Sequence, residues 1–126
     1  MRTPKDVALG FFQIVLIEKN PAEGARRFFG PAGYIQHNPG VPSGPADGFV
    51  TALTAYFGQF PEWRTEIKRV IAEGDLVAVH HHVRRRPNDP GLAVVDIFRV
   101  EDDLLVEHWD VIQEVPAEAR NDNTMF

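Results

Sequence analysis

Apolar residues at the start of the chain recur every three or four positions, which is the period of an amphipathic helix. Thr3 can cap a first helix, Pro4 suits its first position, and Asp6 stands where a capping box places a carboxylate. The apolar positions that follow are Val7, Phe11, Ile14 and Val15. We therefore predict a helix at the start of the chain.

Two further helices and a short strand are predicted before residue 61. Asn20 and Pro21 repeat the start signal and open a short helix that Gly30-Pro31 closes. Residues 34–37 are typical of a short strand, and the Pro- and Gly-rich residues 39–45 of a loop. A third helix ends before Pro61, and its apolar face, which we expect in the core, consists of Phe49, Leu53, Tyr56, Phe57 and Phe60.

After residue 61 the period changes to two, which is typical of strands. One face of the first strand is predicted to carry Trp63, Thr65, Ile67, Arg69 and Ile71. Gly74-Asp75 offers a turn, and three more strands follow over residues 76–85, 92–100 and 104–115. Helices followed by an antiparallel meander predict an α+β fold whose curved sheet leaves a pocket at its open end. Residues 117–126 are predicted to form a loose tail.

Composition limits the classes of function. A chain of 126 residues allows one domain, residues 1–126, and its formal charge of -5 argues against nucleic acid and anionic membrane surfaces as partners. The sequence contains no cysteine, so it offers no disulfide, thiolate metal cluster or cysteine nucleophile. No apolar stretch near the start is long enough to span a membrane, and Asp6 interrupts any signal peptide. We expect a soluble, cytoplasmic protein.

Histidine and aspartate are poor strand formers, so their clusters in apolar strands are candidate site residues. His37-Asn38 ends the short strand. Alternation places His80 and His82 on one face with Leu76 and Ala78, which we assign to the pocket, and His81 on the opposite, outer face. The remaining cluster is divided between Asp96 and the run His108-Trp109-Asp110.

The last two strands can be aligned from the turn between them. If residues 101–103 form a three-residue loop with Asp103 left-handed, Asp96 faces His108 and Asp110 lies diagonally on the same side. Trp109 then points away, while Val94, Phe98, Val106 and Ile112 make the shared face apolar. Desolvation there disfavours ionising both acids, so at least one pKa is raised, and such acids are functional candidates.

Several alternatives to a catalytic site remain open. Each buried His or Asp taken alone can be a hydrogen-bonded structural residue. A zinc or iron site could combine His37, His80, His82 and Asp110, although our preferred interpretation has no metal and no cofactor. A binding module that leaves its ligand unaltered is the other alternative. The run of arginines at residues 84–86 is interpreted as a solvated loop entrance, with an anionic substrate as the alternative.

The order of elements and four motifs resemble the SnoaL-like polyketide cyclases, members of the nuclear transport factor two-like superfamily of cone-shaped α+β folds. The resemblance covers roughly residues 3–115 and rests on Tyr34-Ile35-Gln36-His37-Asn38-Pro39, Val77-Ala78-Val79-His80, Val95-Asp96-Ile97-Phe98-Arg99-Val100 and Val106-Glu107-His108-Trp109-Asp110. It implies N-terminal helices packed on a curved antiparallel sheet. The closing His-Trp-Asp is fairly specific to this branch.

The resemblance also implies roles for individual residues. Asp110 falls where the cyclases keep an acid/base aspartate that deprotonates a carbon next to a carbonyl. Asp96 stands where those cyclases typically have a histidine, and it resembles the protonated aspartate of ketosteroid isomerases, which hydrogen-bonds an enolate. Asn38 stands where those isomerases keep their base, and His80-x-His82 where epoxide hydrolases of the superfamily carry Arg-x-Asp.

Together these observations predict a small-molecule enzyme that acts by enolisation next to a carbonyl: an aldol cyclase, isomerase or lyase. We expect Asp110, Asp96 and His37 to be catalytic, with His80 as an alternative partner to His37 beside Asp110. The residues expected to bind the carbonyl-containing substrate are His80, His82, His108, Asn38 and Phe98. The outer face of the sheet, with Ile97, Arg99, Trp109 and Val111, predicts a homodimer.

Overall fold

The computed structural model describes residues 2–126, which form three helices and one five-stranded sheet. This confirms the predicted α+β class. The helices are α1 (Pro4–Phe12), which continues as a π-helical turn (Gln13–Ile17), α2 (Pro21–Phe28) and α3 (Ala46–Gln59). The strands are β1 (Ile35–Gln36), β2 (Arg64–Glu73), β3 (Leu76–Arg84), β4 (Leu92–Glu101) and β5 (Leu104–Glu114). No helix within residues 2–126 is long and apolar enough to cross a membrane.

The first two helices begin where their capping residues predict. The Thr3 side chain accepts from the backbone N–H of Asp6, and the Asp6 carboxylate accepts from the N–H of Thr3, so the predicted capping box is confirmed. Asn20 caps α2 by accepting from the N–H of Glu23. These caps fix where α1 and α2 start against the sheet.

The strand order in the sheet is β1-β5-β4-β3-β2. Strands β2 to β5 form the predicted antiparallel meander. Strand β1 joins β5 in parallel, with Gln36 opposite His108, so the complete sheet is mixed. This pairing brings the Tyr34–Asn38 segment beside the middle of β5, where His108 and Asp110 lie.

The predicted alternation along β2 is correct only as far as Ile67. A register irregularity between Ile67 and Arg69 changes which side chains face the helices. Val70 packs against the core, whereas Ile71 is 65% exposed. The prediction that Ile71 shares the face of Trp63 is therefore wrong.

The predicted faces of β3 are reversed in the structure. The inner face carries Val77, Val79, His81 and Val83, all buried. Placing His80 and His82 in the pocket was wrong, and so was placing His81 outside. Three valines on one face bury more apolar surface than Leu76 and Ala78 do on the other, and this decides which face packs on the helices.

The turn between β4 and β5 is tighter than predicted. Asp102 and Asp103 both have positive φ, 52° and 63°, as in the two-residue turns that suit hairpins. A bulge next to Val100 then adds one residue to β5, so Asp96 pairs with Asp110 and Phe98 with His108. The predicted Asp96–His108 pairing is wrong, but the shift of two positions keeps all three side chains on one face.

The helices cover the inner face of the sheet and form an aromatic core. Phe11 of α1 lies within 6.1 Å, between ring centroids, of each of Phe28, Phe29, Phe49 and Phe98. A second cluster joins Phe57 and Trp63 to Val83, Leu92 and Val94. Both clusters border the space in which the candidate site lies.

The tail, residues 117–126, has no helix or strand, yet its final residue packs against the sheet. The Phe126 ring stacks on His82, with ring centroids 4.0 Å apart, and lies beside His80 on the outer face of β3. Lys68 lies 5.7 Å from the centre of the same ring. The tail therefore shields part of the outer sheet face.

Candidate active site

A cavity of about 260 Å³ lies between the helices and the inner face of the sheet. Most of its wall is aromatic and aliphatic, from the helices as well as the sheet. Tyr56 of α3 also lines it, and its other polar side chains come from β1 and its flanks and from β3, β4 and β5: Tyr34, Gln36, Asn38, His81, Asp96, His108 and Asp110. A mostly apolar cavity with a few convergent polar groups is the usual form of a small-molecule site.

Asp96 lies at the centre of this polar group and is 6% exposed. Its Oδ1 is 2.7 Å from His108 Nε2, and its Oδ2 is 2.5 Å from His81 Nε2. Burial by itself would raise the pKa of Asp96, but the hydrogen bonds from His108 and His81 outweigh burial and hold the pKa below its usual range. The expectation of a neutral Asp96 that donates to an enolate is therefore wrong.

The partners of His108 indicate that this imidazole carries two protons. Its Nδ1 is 2.7 Å from Gln36 Oε1, which also accepts the backbone N–H of Asn38 at 3.0 Å. Since this oxygen can only accept, His108 Nδ1 donates to it, while Nε2 donates to ionised Asp96. His108 is thus an imidazolium paired with a buried carboxylate.

His81 supports Asp96 from the other side. Its Nε2 donates to Asp96, and its Nδ1 is 2.6 Å from the Thr65 hydroxyl, which can donate to it. The Phe12 ring meets the imidazole edge-on, with centroids 4.8 Å apart. This packing fixes the ring that supports Asp96 from the β3 side.

Asp110 is the acid that has one carboxylate oxygen free of hydrogen bonds from the described residues. Its Oδ2 accepts from Asn38 Nδ2 at 2.8 Å and lies 4.0 Å from His108 Nε2. Within residues 2–126 its Oδ1 receives no hydrogen bond. An ionised carboxylate held through one oxygen, with the other open to an apolar cavity, is suited to accept a proton from a bound molecule.

Among the predicted site residues, Asn38, Asp96, Phe98, His108 and Asp110 line the cavity together. His37 is not among the lining residues: its side chain is 43% exposed, lies 2.7 Å from Glu107 and stacks on Trp109. The expectation of His37 beside Asp110 is wrong, because β1 alternation sends neighbouring side chains to opposite faces.

His80 and His82 also lie away from the cavity. His80 is next to Arg69, and His82 Nε2 bonds the backbone oxygen of Pro90 at 2.8 Å. The structure therefore does not bring together the predicted metal ligands His37, His80, His82 and Asp110. The ligand-type atoms that do converge belong to Asp96, His108 and Asp110, within 4.8 Å of one another. A metal ion there would have to displace the hydrogen bonds of Asp96 and His108.

Sequence reasoning missed Tyr34, Gln36 and His81. The motif Tyr34-Ile35-Gln36-His37-Asn38 contained a signal, because alternation puts its first, third and fifth residues on one face. In the structure that face borders the cavity, whereas Ile35 is 49% exposed. His81 could have been assigned to the cavity side of β3, because it alternates in step with the buried Val77, Val79 and Val83.

The arginines of residues 84–86 do not line the cavity. Arg85 and Arg86 lie over the Phe60 ring, 5.7 and 5.2 Å from its centre. No lysine or arginine among residues 2–126 lines the cavity, and the two histidines that do are already engaged with Asp96. Arg84 is the last residue of β3, so the interpretation of residues 84–86 as a loop holds only for Arg85 and Arg86.

The fold and its cavity define a class of protein, the α+β proteins of the nuclear transport factor two-like fold. Within that class, the chain belongs to the SnoaL-like domain family, whose family description matches residues 10–108. The resemblance seen in the sequence is thereby confirmed. Members of this family act on small molecules, and polyketide cyclases are among them.

Solved structures show the same architecture. A loop-truncation variant of IdmH is 22% identical, with a TM-score of 0.72 over 87% of this chain and 92% of that one. Wild-type IdmH, a candidate polyketide cyclase from Streptomyces antibioticus, is 21% identical, with a TM-score of 0.71 over 88% and 92%. A candidate polyketide cyclase from Acidithiobacillus ferrooxidans is 20% identical, with a TM-score of 0.69 over 86% and 87%. A comparison with curated proteins gives no match.

Proposed function

We propose that this protein is a cofactor-independent enzyme that removes a proton from a carbon next to a carbonyl, as an aldol cyclase, isomerase or lyase does. The single observation that carries the proposal is the open oxygen of Asp110 in an apolar cavity beside the His108 imidazolium. Family membership supports small-molecule chemistry. The base is assigned here on the geometry of Asp110.

In the first step, Asp110 Oδ1 takes the α proton. The electron pair of the broken C–H bond forms a carbon–carbon double bond, and the carbonyl π pair moves to oxygen, which gives an enolate. Asn38 keeps the carboxylate aimed by donating to its other oxygen at 2.8 Å. A positioned general base contributes about 10² to 10⁴ in rate.

In the second step, the enolate carbon forms the new bond or is reprotonated, and Asp110 returns the proton it took. In a cyclase the carbon attacks a second carbonyl of the same molecule, and the proton goes to the alkoxide. In an isomerase the proton returns to a different carbon. Both routes balance without an oxidant or reductant.

His108 stabilises negative charge at this end of the cavity. Its Nε2 lies 4.0 Å from Asp110 Oδ2, and Asp96 and Gln36 accept hydrogen bonds from its two ring nitrogens. The positive potential favours the enolate that forms when Asp110 takes the proton. Asp96 thus acts by holding His108 and does not itself donate to the substrate.

The substrate class follows from the cavity wall. The wall of the site is mostly apolar, and no lysine or arginine among residues 2–126 lines it. We expect an uncharged, largely apolar ketone or diketone, with its reacting carbonyl at the β5 end. Both ring nitrogens of His108 are engaged by Asp96 and Gln36, so a carboxylate or phosphate ester would bury a charge there without a lysine or arginine to pair with.

Enolisation can be tested without knowing the natural substrate. The experiment incubates the protein in D₂O with 2-tetralone, an uncharged bicyclic ketone with acidic α hydrogens, and follows deuterium uptake by NMR. We expect catalysed uptake by the wild-type protein and a loss of at least about 100-fold in Asp110→Asn. A ketone that binds but never exchanges would instead support a non-catalytic binding protein.

We also propose that the protein forms a homodimer through the outer face of the sheet. Val111 is 69% exposed there, and Trp109 and Arg99 project from the same face. A two-fold contact would cover this apolar surface. Light scattering of the wild-type protein should give twice the monomer mass of 14.2 kDa. The Val111→Asp variant should have the monomer mass. A monomeric wild type would refute the dimer.

A further inference from the structure

The Tyr34 hydroxyl is a donor that the protein leaves unused. Its oxygen accepts the Gln36 Nε2 proton at 2.7 Å, and within residues 2–126 its own proton has no acceptor. The residue is 5% exposed and lines the same cavity as Asp110. A buried phenol proton without an acceptor is costly, which implies that a bound molecule accepts it.

We propose that Tyr34 is a catalytic residue whose hydroxyl donates a hydrogen bond to the substrate oxygen that becomes negative when Asp110 removes the neighbouring proton. This inference rests on the proposed function and names the donor that the enolisation requires. It assigns to Tyr34 the role that the sequence assigned to Asp96.

The polar groups that share the hydrogen-bond network of Tyr34 and Asp110 are committed elsewhere. Both oxygens of Asp96 accept from histidines, and both nitrogens of His108 donate to Asp96 and Gln36. The amides of Gln36 and Asn38 each retain one N–H, but a phenol is a more acidic donor than an amide, so its hydrogen bond strengthens more as negative charge develops.

The position of Tyr34 is fixed by its surroundings. Its ring stacks on Phe29 with centroids 4.4 Å apart and meets Phe49 edge-on at 5.7 Å. The hydrogen bond from Gln36 also links the hydroxyl to His108, since Gln36 Oε1 accepts from His108 Nδ1. The donor is therefore preorganised, which is the condition for stabilising an oxyanion.

The protonation state of Tyr34 suits this role. Burial raises the pKa of Tyr34 to about 12, against the opposing effect of the Gln36 hydrogen bond, and the charge of Asp110 raises it further. The hydroxyl therefore keeps its proton throughout the neutral and mildly alkaline range. It donates a hydrogen bond to the enolate oxygen, and the phenol remains protonated at the end of the cycle.

The test removes one oxygen atom from the site. Tyr34→Phe keeps the ring that packs on Phe29, and we expect α-deuterium exchange of 2-tetralone to fall by about 100- to 1,000-fold, the range for a lost oxyanion donor. Tyr56→Phe is the matched control, since it removes the same atom from another tyrosine of the cavity wall, one that packs against Trp63 and makes no hydrogen bond to the Asp110 network. The fold-decrease in exchange rate caused by Tyr56→Phe should be at least tenfold smaller than that caused by Tyr34→Phe.

A binding measurement provides a second readout. 2-Naphthol carries an acidic hydroxyl in place of the enolate oxygen, and its fluorescence shows whether it is bound and ionised. We expect Tyr34→Phe to bind it at least tenfold more weakly than the wild type does, while circular dichroism confirms that both are folded.

The outcomes separate this inference from the proposed function. Exchange by the wild type that survives in Tyr34→Phe within threefold would overturn the role of Tyr34 and leave Asp110 as the base. An Asp110→Asn variant as active as the wild type would overturn the proposed base. A wild type that catalyses no exchange would overturn both.

Discussion

Asp96 and Asp110 are directly paired across β4 and β5, yet the structure uses them in opposite ways. Asp96 has both oxygens engaged by histidines, whereas Asp110 has one oxygen held by Asn38 and one open to the cavity. The same residue type in adjacent positions is therefore a structural anion in one case and the proposed proton acceptor in the other. The difference arises from which hydrogen-bond donors surround each carboxylate.

Replacing Asp96 by Asn should destabilise the protein more than a typical surface change. The amide can accept from only one histidine, and its NH₂ group meets the N–H of the other, so one imidazole must give up its proton or its contact. We expect a loss of about 3 kcal/mol in the free energy of unfolding. Urea denaturation measures it, and a loss under about 0.5 kcal/mol, as for an ordinary surface site, would contradict this account of Asp96.

Acid should weaken the fold through the same residue. The pKa of Asp96 in the folded protein lies below the ordinary value of 3.8 because the histidine hydrogen bonds outweigh burial. Its ionised form therefore contributes its full stabilisation above about pH 4, and this contribution disappears as the pH falls further toward the lowered pKa.

The corresponding measurement compares unfolding free energies of the wild type and Asp96→Asn between pH 6 and pH 2. The difference between the two proteins should shrink as the pH drops below about 4, because only the wild type loses a favourable carboxylate. A difference that stays constant across this range would show that Asp96 does not titrate as the structure indicates.

His37→Ala should leave exchange activity within about twofold of the wild-type rate, although its position next to Asn38 made it a catalytic candidate. The side chain is 43% exposed and engages Glu107 and Trp109 outside the cavity wall. Exposed ion pairs of this kind contribute at most about 1 kcal/mol to stability. A hundredfold loss of exchange in a folded His37→Ala variant would return this histidine to the reaction.

Phe126→Ala should destabilise the protein by about 1 kcal/mol, because the ring loses its stacking on His82. Phe126→Leu retains much of the apolar contact. The difference in unfolding free energy between Phe126→Leu and the wild type therefore measures the contribution of the aromatic ring. The imidazole proton shifts of His82 in NMR spectra provide a local check, since removal of the ring current should change them. Unchanged His82 shifts in Phe126→Ala would show that the tail does not pack there in solution.

Much of the fold could be predicted because its signals are local. Thr3, Asp6 and Asn20 mark helix starts through caps that involve residues only three positions away. The Gly74-Asp75 turn and the meander likewise follow from short-range patterns. The common face of Asp96, His108 and Asp110 was also predicted, since parity along a strand depends only on its own alternation.

The errors arose where bulges and competing faces decide the outcome. The extra residue in β5 and the irregularity after Ile67 in β2 have no distinctive sequence, so partners and faces beyond them shift. In β3 the prediction placed the face of His80 and His82 in the pocket because it carries two histidines. The valines on the opposite face decide which side of the strand is buried. The ionisation of Asp96 could not be predicted, because it depends on His81 and His108 converging from two other strands.

The most direct measurement of the central claim is the rate at which Asp110→Asn exchanges the α hydrogens of 2-tetralone in D₂O. Asp103→Asn is the matched control: it makes the same change in an exposed turn at positive φ, a conformation that Asn also tolerates. The account predicts wild-type exchange in Asp103→Asn and a loss of at least about 100-fold in a folded Asp110→Asn. Equal rates in the two variants would contradict it.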